Sequence, residues 1–253
     1  MNHLFKNLKA NKTYILICLL LINLQMGFVS AQKQGTQNLL NLDRAKYHFG
    51  FLLGFNQMNF AIKPLSNLSQ FDSLLSVESK SQLGFNIGIV SNLKLAKYWD
   101  LRFIPTLSFG ERDLTYAIQF QNTDYIGHTT KKVESIFIDF PIHVKLKSAR
   151  IGDNTRAYVI AGGKISIDMA SQSKQKEDNP EDIKVKLYRD DYLLEAGVGF
   201  DFYMEFFKLS AEVKMSYGFK DQLVHESNMY ASSIERLNSK IFQFSLTFEG
   251  GKY

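Results

Sequence analysis

The stretch that decides the fold is YLLEAGVGFDFYM, residues 192–204. Every even position in it carries an apolar side chain, whereas the odd positions include Glu195, Asp201 and two glycines. Side chains that repeat at every second residue lie on one face of a β-strand, and this run is longer than the usual strand of about 5–6 residues. The stretch therefore predicts a long strand with one apolar face and one polar face.

Seven other segments show the same alternation and are predicted to be strands. They are 47–62, 82–95, 100–111, 133–147, 156–169, 207–219 and 239–249. The first of them is irregular, because its apolar positions are odd as far as Phe55 and even from Met58. A β-bulge near Asn56 and Gln57 would insert one residue and explain this change of phase. The sequence thus predicts about eight strands.

The connections between these segments indicate what kind of barrel they form. When the eight predicted strands are numbered in chain order, long intervals follow the odd-numbered strands, at 63–81, 112–132, 170–191 and 220–238. Short intervals follow the second, fourth and sixth strands, at 96–99, 148–155 and 205–206. Long loops at one end and tight turns at the other are typical of outer-membrane barrels whose termini are both periplasmic. We therefore predict an all-β, transmembrane antiparallel up-and-down β-barrel over 47–253, preceded by a periplasmic N-terminal tail over 32–46.

The polar face distinguishes this barrel from a soluble one. A lipocalin-like barrel has the same alternation, but its apolar face points inward. Here the polar face carries charges in mid-strand, namely Arg102, Asp139, Lys145, Glu195, Asp201, Glu212 and Lys214. The lumen of an eight-stranded barrel is just wide enough to be filled by side chains, and an unpaired charge there would be costly. We therefore expect the apolar face to contact outer-membrane lipid and the charges to pair inside.

The first 31 residues have the pattern of a cleaved signal peptide. Three lysines precede the apolar run 14–24, and small residues at 29–31 offer a cleavage site. The run is short for a bilayer span, so an N-terminal membrane anchor is the weaker alternative. Cleavage would remove the single cysteine, Cys18, and would lower the formal charge from +5 to +2 by removing those three lysines. No basic patch then remains to suggest a nucleic-acid partner.

The sequence offers no catalytic, cofactor-binding or metal-binding residue. The histidines beyond residue 31 are widely separated, and no hydrolase, zinc-protease or phosphate-loop motif is present. His143 and Asp139 lie four positions apart on the polar face, where a hydrogen-bonded lumen pair is the expected arrangement. The charge-dense interval 170–191 is expected to be a solvated surface loop, with a cation site as the alternative. We expect the protein not to be an enzyme, since a barrel enzyme would need a His, a Ser and an acid converging at one rim.

Two prolines are unusual because they fall in the middle of predicted strands. If the third and fourth strands form a hairpin around a loop centred near residue 122, Pro105 should lie within two residues of the position facing Pro141. Each proline removes a hydrogen-bond donor from a sheet that should have no edge. A bulge or a tolerated gap is the expected explanation. The alternative is a weakened patch where a partner docks from the membrane.

Three segments resemble the PorT family of outer-membrane β-barrels. They are FLLGFNQMNFAIKP (51–64), GFNIGIVSNLKLAKYWDLRFIPTLSFGERDLTY (84–116) and VESIFIDFPIHVKLKS (133–148), and the most specific block is LRFIPTLSFG (101–110). The resemblance implies a place in the type IX secretion machinery, which exports proteins carrying a C-terminal sorting domain and supports gliding motility in some bacteria. It implies other secretion components as partners and brings no catalytic or cofactor residue.

The size of the predicted barrel limits this role. A barrel of eight strands that is filled by side chains cannot pass a folded protein. We therefore expect an accessory or assembly role in secretion, with the translocation pore formed by a larger protein. The alternative is a general small barrel for adhesion or envelope integrity, which would share the fold by analogy only.

Overall fold

The computed structural model describes residues 37–65, 74–119, 126–171, 185–226 and 229–250. The predicted signal peptide and most of the charge-dense interval lie outside these ranges. From Gln37 onward the chain forms one compact unit. Its elements are α1 (Leu40–Arg44), β1 (Tyr47–Pro64), β2 (Leu74–Lys94), β3 (Trp99–Phe103), β4 (Thr106–Gln119), β5 (Ile126–Lys147), β6 (Thr155–Asp168), β7 (Asp190–Tyr203), β8 (Lys208–Gly218), α2 (Met229–Ser232) and β9 (Ile234–Gly250). Within these ranges, neither helix is long and apolar enough to cross a membrane.

The nine strands form one antiparallel sheet that closes on itself. β1 pairs with β2 on one side and with β9 on the other, so the first and last strands meet. β3 and β4 follow one another between β2 and β5 and therefore occupy a single position in the ring. The nine strands thus fill eight positions, and the predicted all-β antiparallel barrel of about eight strands is confirmed.

The two faces of the sheet differ as the alternation predicts. Apolar side chains on the outer face are exposed, for example Leu83 at 76% and Leu194 at 66%. On the inner face Arg102, Lys145 and Asp201 are completely buried. A continuous outer band of large apolar side chains is the surface that bilayer hydrocarbon covers in outer-membrane barrels. The assignment of the apolar face to the outside and the charged face to the lumen is confirmed.

Two of the predicted long loops consist mostly of strand. β2 begins at Leu74 and β4 continues to Gln119, so the described parts of the intervals 63–81 and 112–132 are almost entirely paired strand. The prediction was wrong because these extensions lose the strict alternation once they rise beyond the apolar band. The short connections are confirmed to within two residues, at 95–98, 148–154 and 204–207.

The wall is uneven at the long-loop end. β6 ends at Asp168, β7 begins at Asp190 and β8 ends at Gly218, whereas β9, β1, β2, β4 and β5 continue further. At the opposite end Phe49 of β1 pairs with Gly250 of β9, so the beginning and end of the barrel lie beside the short turns.

β1 contains no bulge at Asn56 and Gln57, contrary to the prediction. Its pairing with β2 and β9 runs through these residues without a shift, and the shift against β9 falls between Lys63 and Pro64. Even positions point inward on both sides of Gln57, so Met58 and Phe60 are buried inside the barrel. The apolar phase changes because the strand leaves the outer apolar band at the height where the lumen itself becomes apolar.

The two prolines lie side by side in the sheet. The pairings on either side of the break between β3 and β4 place Pro105 opposite Phe140 and Pro141 opposite Ile104. This agrees within one residue with the predicted hairpin register. The register is the same on both sides of residues 104–105, so the prolines leave a gap in the hydrogen-bond ladder without a bulge, and a docking role for this region stays a prediction.

Candidate functional site

Charged side chains fill the middle of the lumen and pair across it. Arg102 on β3 lies 2.8 Å from Glu212 on β8 and 3.3 Å from Glu249 on β9. Lys214 lies 3.4 Å from Glu212 and 3.2 Å from Glu195. Lys214–Glu212 lies within β8, whereas the pairs of Arg102 join β3 to β8 and β9 and Lys214–Glu195 joins β8 to β7, so these interstrand pairs tie the walls of the barrel together. The predicted network of paired lumen charges is confirmed.

A second part of the network surrounds an aromatic ring. Lys145 Nζ lies 2.8 Å from each carboxylate oxygen of Asp201 and 3.5 Å from the centre of the Tyr158 ring. The Tyr158 hydroxyl donates a hydrogen bond of 2.9 Å to Glu212. The ring fits because Gly199 has no side chain: a Cβ there would lie 2.5 Å from the ring. The lumen is therefore packed with side chains at this height.

The network continues toward the short-turn end. The Glu249 carboxylate lies 2.9 Å from Lys208 Nζ and 2.8 Å from His48 Nε2. Lys147 Nζ lies 2.7 Å from the Asp100 carboxylate. Each buried charge in this group has an opposite charge within ion-pair distance, which offsets part of the cost of removing it from water.

His143 pairs with a residue other than the one predicted. Its Nε2 lies 2.9 Å from Glu195 Oε1, within ion-pair distance. Asp139 instead accepts hydrogen bonds from Ser108 at 2.7 Å and Ser166 at 2.5 Å. The predicted His143–Asp139 pair is therefore wrong, because hydroxyl donors on the neighbouring strands β4 and β6 reach the aspartate.

The same cluster has the residue types of a hydrolase but not the arrangement. Ser216 donates a hydrogen bond of 2.5 Å to Glu195, the carboxylate that also faces His143. A serine nucleophile must contact its histidine base, with the acid on the far side of the base. Here the acid lies between the two, and all three side chains are buried in mid-lumen. The geometry does not suit nucleophilic catalysis.

An apolar cluster closes the lumen toward the long-loop end. This apolar plug consists of Phe60, Leu74, Leu114, Tyr116, Val185, Leu187, Leu223, Ala231, Ile234 and Leu237. Arg112 lies between it and the charges: it donates a hydrogen bond of 2.6 Å to Ser135, and its guanidinium lies 4.2 Å from the centre of the Phe60 ring. The plug was not predicted, and the phase change at Met58 was the signal that could have revealed it.

The segment before β1 packs on the short-turn end. In this N-terminal stopper, residues 37–46, Leu39 and Leu42 are buried against Tyr203. Asp43 accepts hydrogen bonds of 2.9 Å from both Arg150 and Arg156. Part of the segment predicted as a tail therefore contacts the barrel, which the sequence pattern did not show.

The cavity beneath the stopper is minute. It measures about 10 Å³ and is lined by Leu42, His48 and Lys208 among others. A space of this size holds one water molecule at most. With the stopper at one end, the charge network in the middle and the apolar plug at the other end, the lumen offers no continuous channel through the described residues.

Larger spaces lie outside the lumen. A groove of about 660 Å³ on the outer face is lined by residues that include Trp99, Val198 and Phe242. A polar pocket of about 320 Å³ at the rim is lined by Lys132, Asp168 and other residues. Within the described ranges, no three His, Cys, Asp or Glu side chains are grouped so as to hold a metal ion.

Exposed aromatic side chains flank the outer apolar band. Tyr47, Tyr98, Trp99 and Phe206 lie at the short-turn end, and Tyr188, Tyr192, Tyr217 and Phe219 lie at the long-loop end. Girdles of aromatic residues at the two edges of the apolar band mark the interfaces between membrane and water in outer-membrane barrels.

Comparison with known proteins agrees with this reading of the surface. Residues 31–224 match the family described as outer membrane protein beta-barrel domain. No curated protein sequence matches the chain.

Several solved structures are similar to the barrel. OprG from Pseudomonas aeruginosa is 10% identical, with a TM-score of 0.44 over 87% of this chain and 98% of that one. Neisserial surface protein A (NspA) is 8% identical, with a TM-score of 0.41 over 79% of this chain and 96% of that one. Ail, the attachment invasion locus protein of Yersinia pestis, is 12% identical, with a TM-score of 0.37 over 81% of this chain and 99% of that one. None of these similarities bears on activity.

Proposed function

The chain belongs to the outer membrane protein β-barrel domain family, and from this premise we propose that it serves in the type IX secretion machinery in an accessory or assembly role. The proposed role is not enzymatic and needs no cofactor. Its partners are outer-membrane lipid and other components of the machinery, and no nucleic acid is involved.

The sealed lumen is the observation that carries the accessory role. Buried pairs such as Arg102–Glu212 and Lys145–Asp201 cross the bore, and they would have to separate before any chain could pass. Separating a buried pair leaves uncompensated charges, which typically costs about 3–5 kcal/mol for each pair. A protein built in this way acts through its outer surface and its rims, not as a translocation pore.

The finer assignment to the type IX machinery rests on the PorT-like segments. They lie in β1 through β5, and the most specific block, 101–110, spans the break between β3 and β4. A family-specific block at a gap in the hydrogen-bond ladder of the wall is consistent with a role for that wall in contacts with other proteins.

The proposed orientation places both termini and the short turns in the periplasm, with the long loops outside the cell. The signal peptide over 1–31 is removed on export. Fractionation should then find the protein in the detergent-extracted outer membrane, and an unboiled sample should migrate differently from a boiled one on a denaturing gel. Recovery as a soluble periplasmic protein would contradict both the orientation and the membrane assignment.

A deletion strain tests the proposed function. Cargo proteins with a C-terminal sorting domain should accumulate in the periplasm of the deletion strain, whereas outer-membrane permeability to small dyes should change little. Complementation with the full chain should restore export. Normal export in the deletion strain would refute the secretion role.

Adhesion or envelope integrity is the second candidate, and the uneven wall favours it. β9, β1, β2, β4 and β5 continue beyond the apolar band and form a raised sheet above the membrane. Such a sheet could contact other surfaces. On this reading the deletion strain exports its cargo normally but loses surface attachment or becomes permeable to the dyes.

A further inference from the structure

The outer face of the barrel carries a group of cations just above the apolar band. They lie on β9 and beside it: Arg236 and Lys240 are exposed on β9, Lys63 on β1 is 64% exposed, and Lys220 follows β8. We call Lys63, Lys220, Arg236 and Lys240 the basic rim.

The height of the basic rim corresponds to the membrane interface. Lys240 pairs in register with Tyr217, a member of the aromatic girdle, and it is the next outward residue after Phe242. Lys220 Nζ lies 5.0 Å from the centre of the Tyr188 ring, in the same girdle. Because girdle aromatics lie at the level of lipid headgroups, Lys220 and Lys240 face headgroups, not hydrocarbon. Arg236 reaches the same level through its hydrogen bond to the carbonyl of Phe219, another girdle residue.

Most of the positive charge of the basic rim is not paired with acidic side chains of the described residues. Lys63 and Arg236 are direct cross-strand partners, and like charges in that relation destabilise a sheet. Lys63 has an acidic partner, since Glu235 lies 2.6 Å from it. Arg236 and Lys220 donate to the backbone carbonyls of Phe219 and Asp190. Lys240 contacts no acidic side chain among the described residues.

We propose that the basic rim binds the phosphate of an anionic lipid headgroup in the adjacent leaflet. A guanidinium binds two phosphate oxygens at once, and ammonium groups add point charges around them. The lipid's acyl chains would lie along the apolar wall that continues from Phe242 toward the short turns. Which leaflet is involved rests on the proposed orientation, whereas the binding itself does not depend on that orientation or on secretion.

The test uses the full mature chain refolded in micelles of an uncharged detergent. Phosphatidic acid, which ends in a phosphate monoester, is added in increasing amounts, and phosphatidylcholine is added in a parallel series. Bound lipid is counted by native mass spectrometry. The double variant Arg236→Gln/Lys240→Gln removes two cations, and the single variant Lys240→Gln removes the cation that has no acidic partner. Lys132→Gln is the matched control, because Lys132 on β5 is also exposed toward the long-loop end but lies outside the basic rim and is paired with Glu111 at 3.2 Å.

Wild type should bind phosphatidic acid in preference to phosphatidylcholine. Since each cation near a membrane surface contributes about 1 kcal/mol, or roughly a fivefold change in affinity, the double variant should bind at least tenfold more weakly and Lys240→Gln several-fold more weakly. Lys132→Gln should bind like wild type, and all variants should keep the altered gel migration of a folded barrel. Equal binding by wild type and Lys240→Gln would overturn the proposal. So would competition by inorganic phosphate at the concentration of the lipid, which would show that a free ion is bound and that lipid is not required.

Discussion

The Thr106 hydroxyl donates a hydrogen bond of 2.7 Å to the backbone carbonyl of Ile104. Lys147 N–H donates to the Tyr98 carbonyl where the chain enters the β3–β5 ladder. In an antiparallel ladder every second facing pair exchanges backbone hydrogen bonds, and Ile104 with Pro141 is such a pair. Pro141 has no N–H to give. The threonine side chain therefore replaces the donor that the proline lacks, and it does so inside a barrel where Ile104 is completely buried.

Replacing this threonine should weaken the barrel. Thr106→Val keeps the shape of the side chain but leaves the Ile104 carbonyl without a donor, which should cost about 1–3 kcal/mol. Urea unfolding in detergent micelles measures the difference. Thr106→Ser, which retains the hydroxyl, is the control and should stay closer to wild type. A Thr106→Val barrel as stable as wild type would mean that this hydrogen bond contributes nothing.

Replacing the two prolines should stabilise the barrel by different amounts. Ile89 N–H donates to the Pro105 carbonyl at 3.0 Å, but Pro105 can return no bond. Pro105→Val should restore that bond and add roughly 1 kcal/mol, whereas Pro141→Val should add less because Thr106 already serves Ile104. If a partner docks at this irregularity, the double variant folds better but exports cargo less well. Better folding with normal export would end the docking hypothesis.

The lipid-facing wall should reject charge near the middle of the membrane. Val198 and Val213 are direct cross-strand partners on the outer face, exposed to 56% and 37%. Arginine at either position should cost about 2–4 kcal/mol in a bilayer. Val198→Leu keeps the apolar contact and is the control. Wild-type stability for both arginine variants in refolding assays with lipid vesicles would show that this face does not contact lipid.

A methyl group added in the lumen should lower the stability of the barrel more than one added on the outer face. Gly199→Ala places a Cβ 2.5 Å from the Tyr158 ring and should cost roughly 1–3 kcal/mol by overpacking. Gly163→Ala is the matched control, since the nearest atom to its Cβ is 4.0 Å away. Thermal unfolding in the same detergent compares the two. Equal losses would argue against a lumen filled by Tyr158.

The sequence predicted the features that depend on the alternation of side chains. The outward position of Val198 and the inward position of Asp201 follow from a period of two, and so does the pairing of opposite charges in a narrow lumen. The sequence did not predict which charges meet, because His143 and Glu195 are brought together only by the register of β5, β6 and β7. Nor did it reveal the stopper, because Leu39 and Leu42 give no periodic signal in so short a segment.

The phase change in β1 shows a different limit. Met58 and Phe60 looked like evidence of a bulge because the apolar face was taken to be the outer face along the whole strand. In the barrel the inner face is polar at Asn56 and apolar at Phe60, while the strand itself remains regular. Within the membrane band, the apolar side of a strand is the side that contacts lipid. Above that band, the apolar side is the one that packs into the interior of the barrel.

The closure of the ring by β1 and β9 has a consequence for biogenesis. The seam joins the first strand to be synthesised to the last, from Phe49 with Gly250 to Pro64 with Ile234. Contacts so distant in the chain are entropically the slowest to form. Until they form, both strands present open edges that can pair with other chains. An exported chain that is truncated anywhere before β9 therefore has no route to a finished wall, and envelope chaperones and proteases would have to hold or clear it.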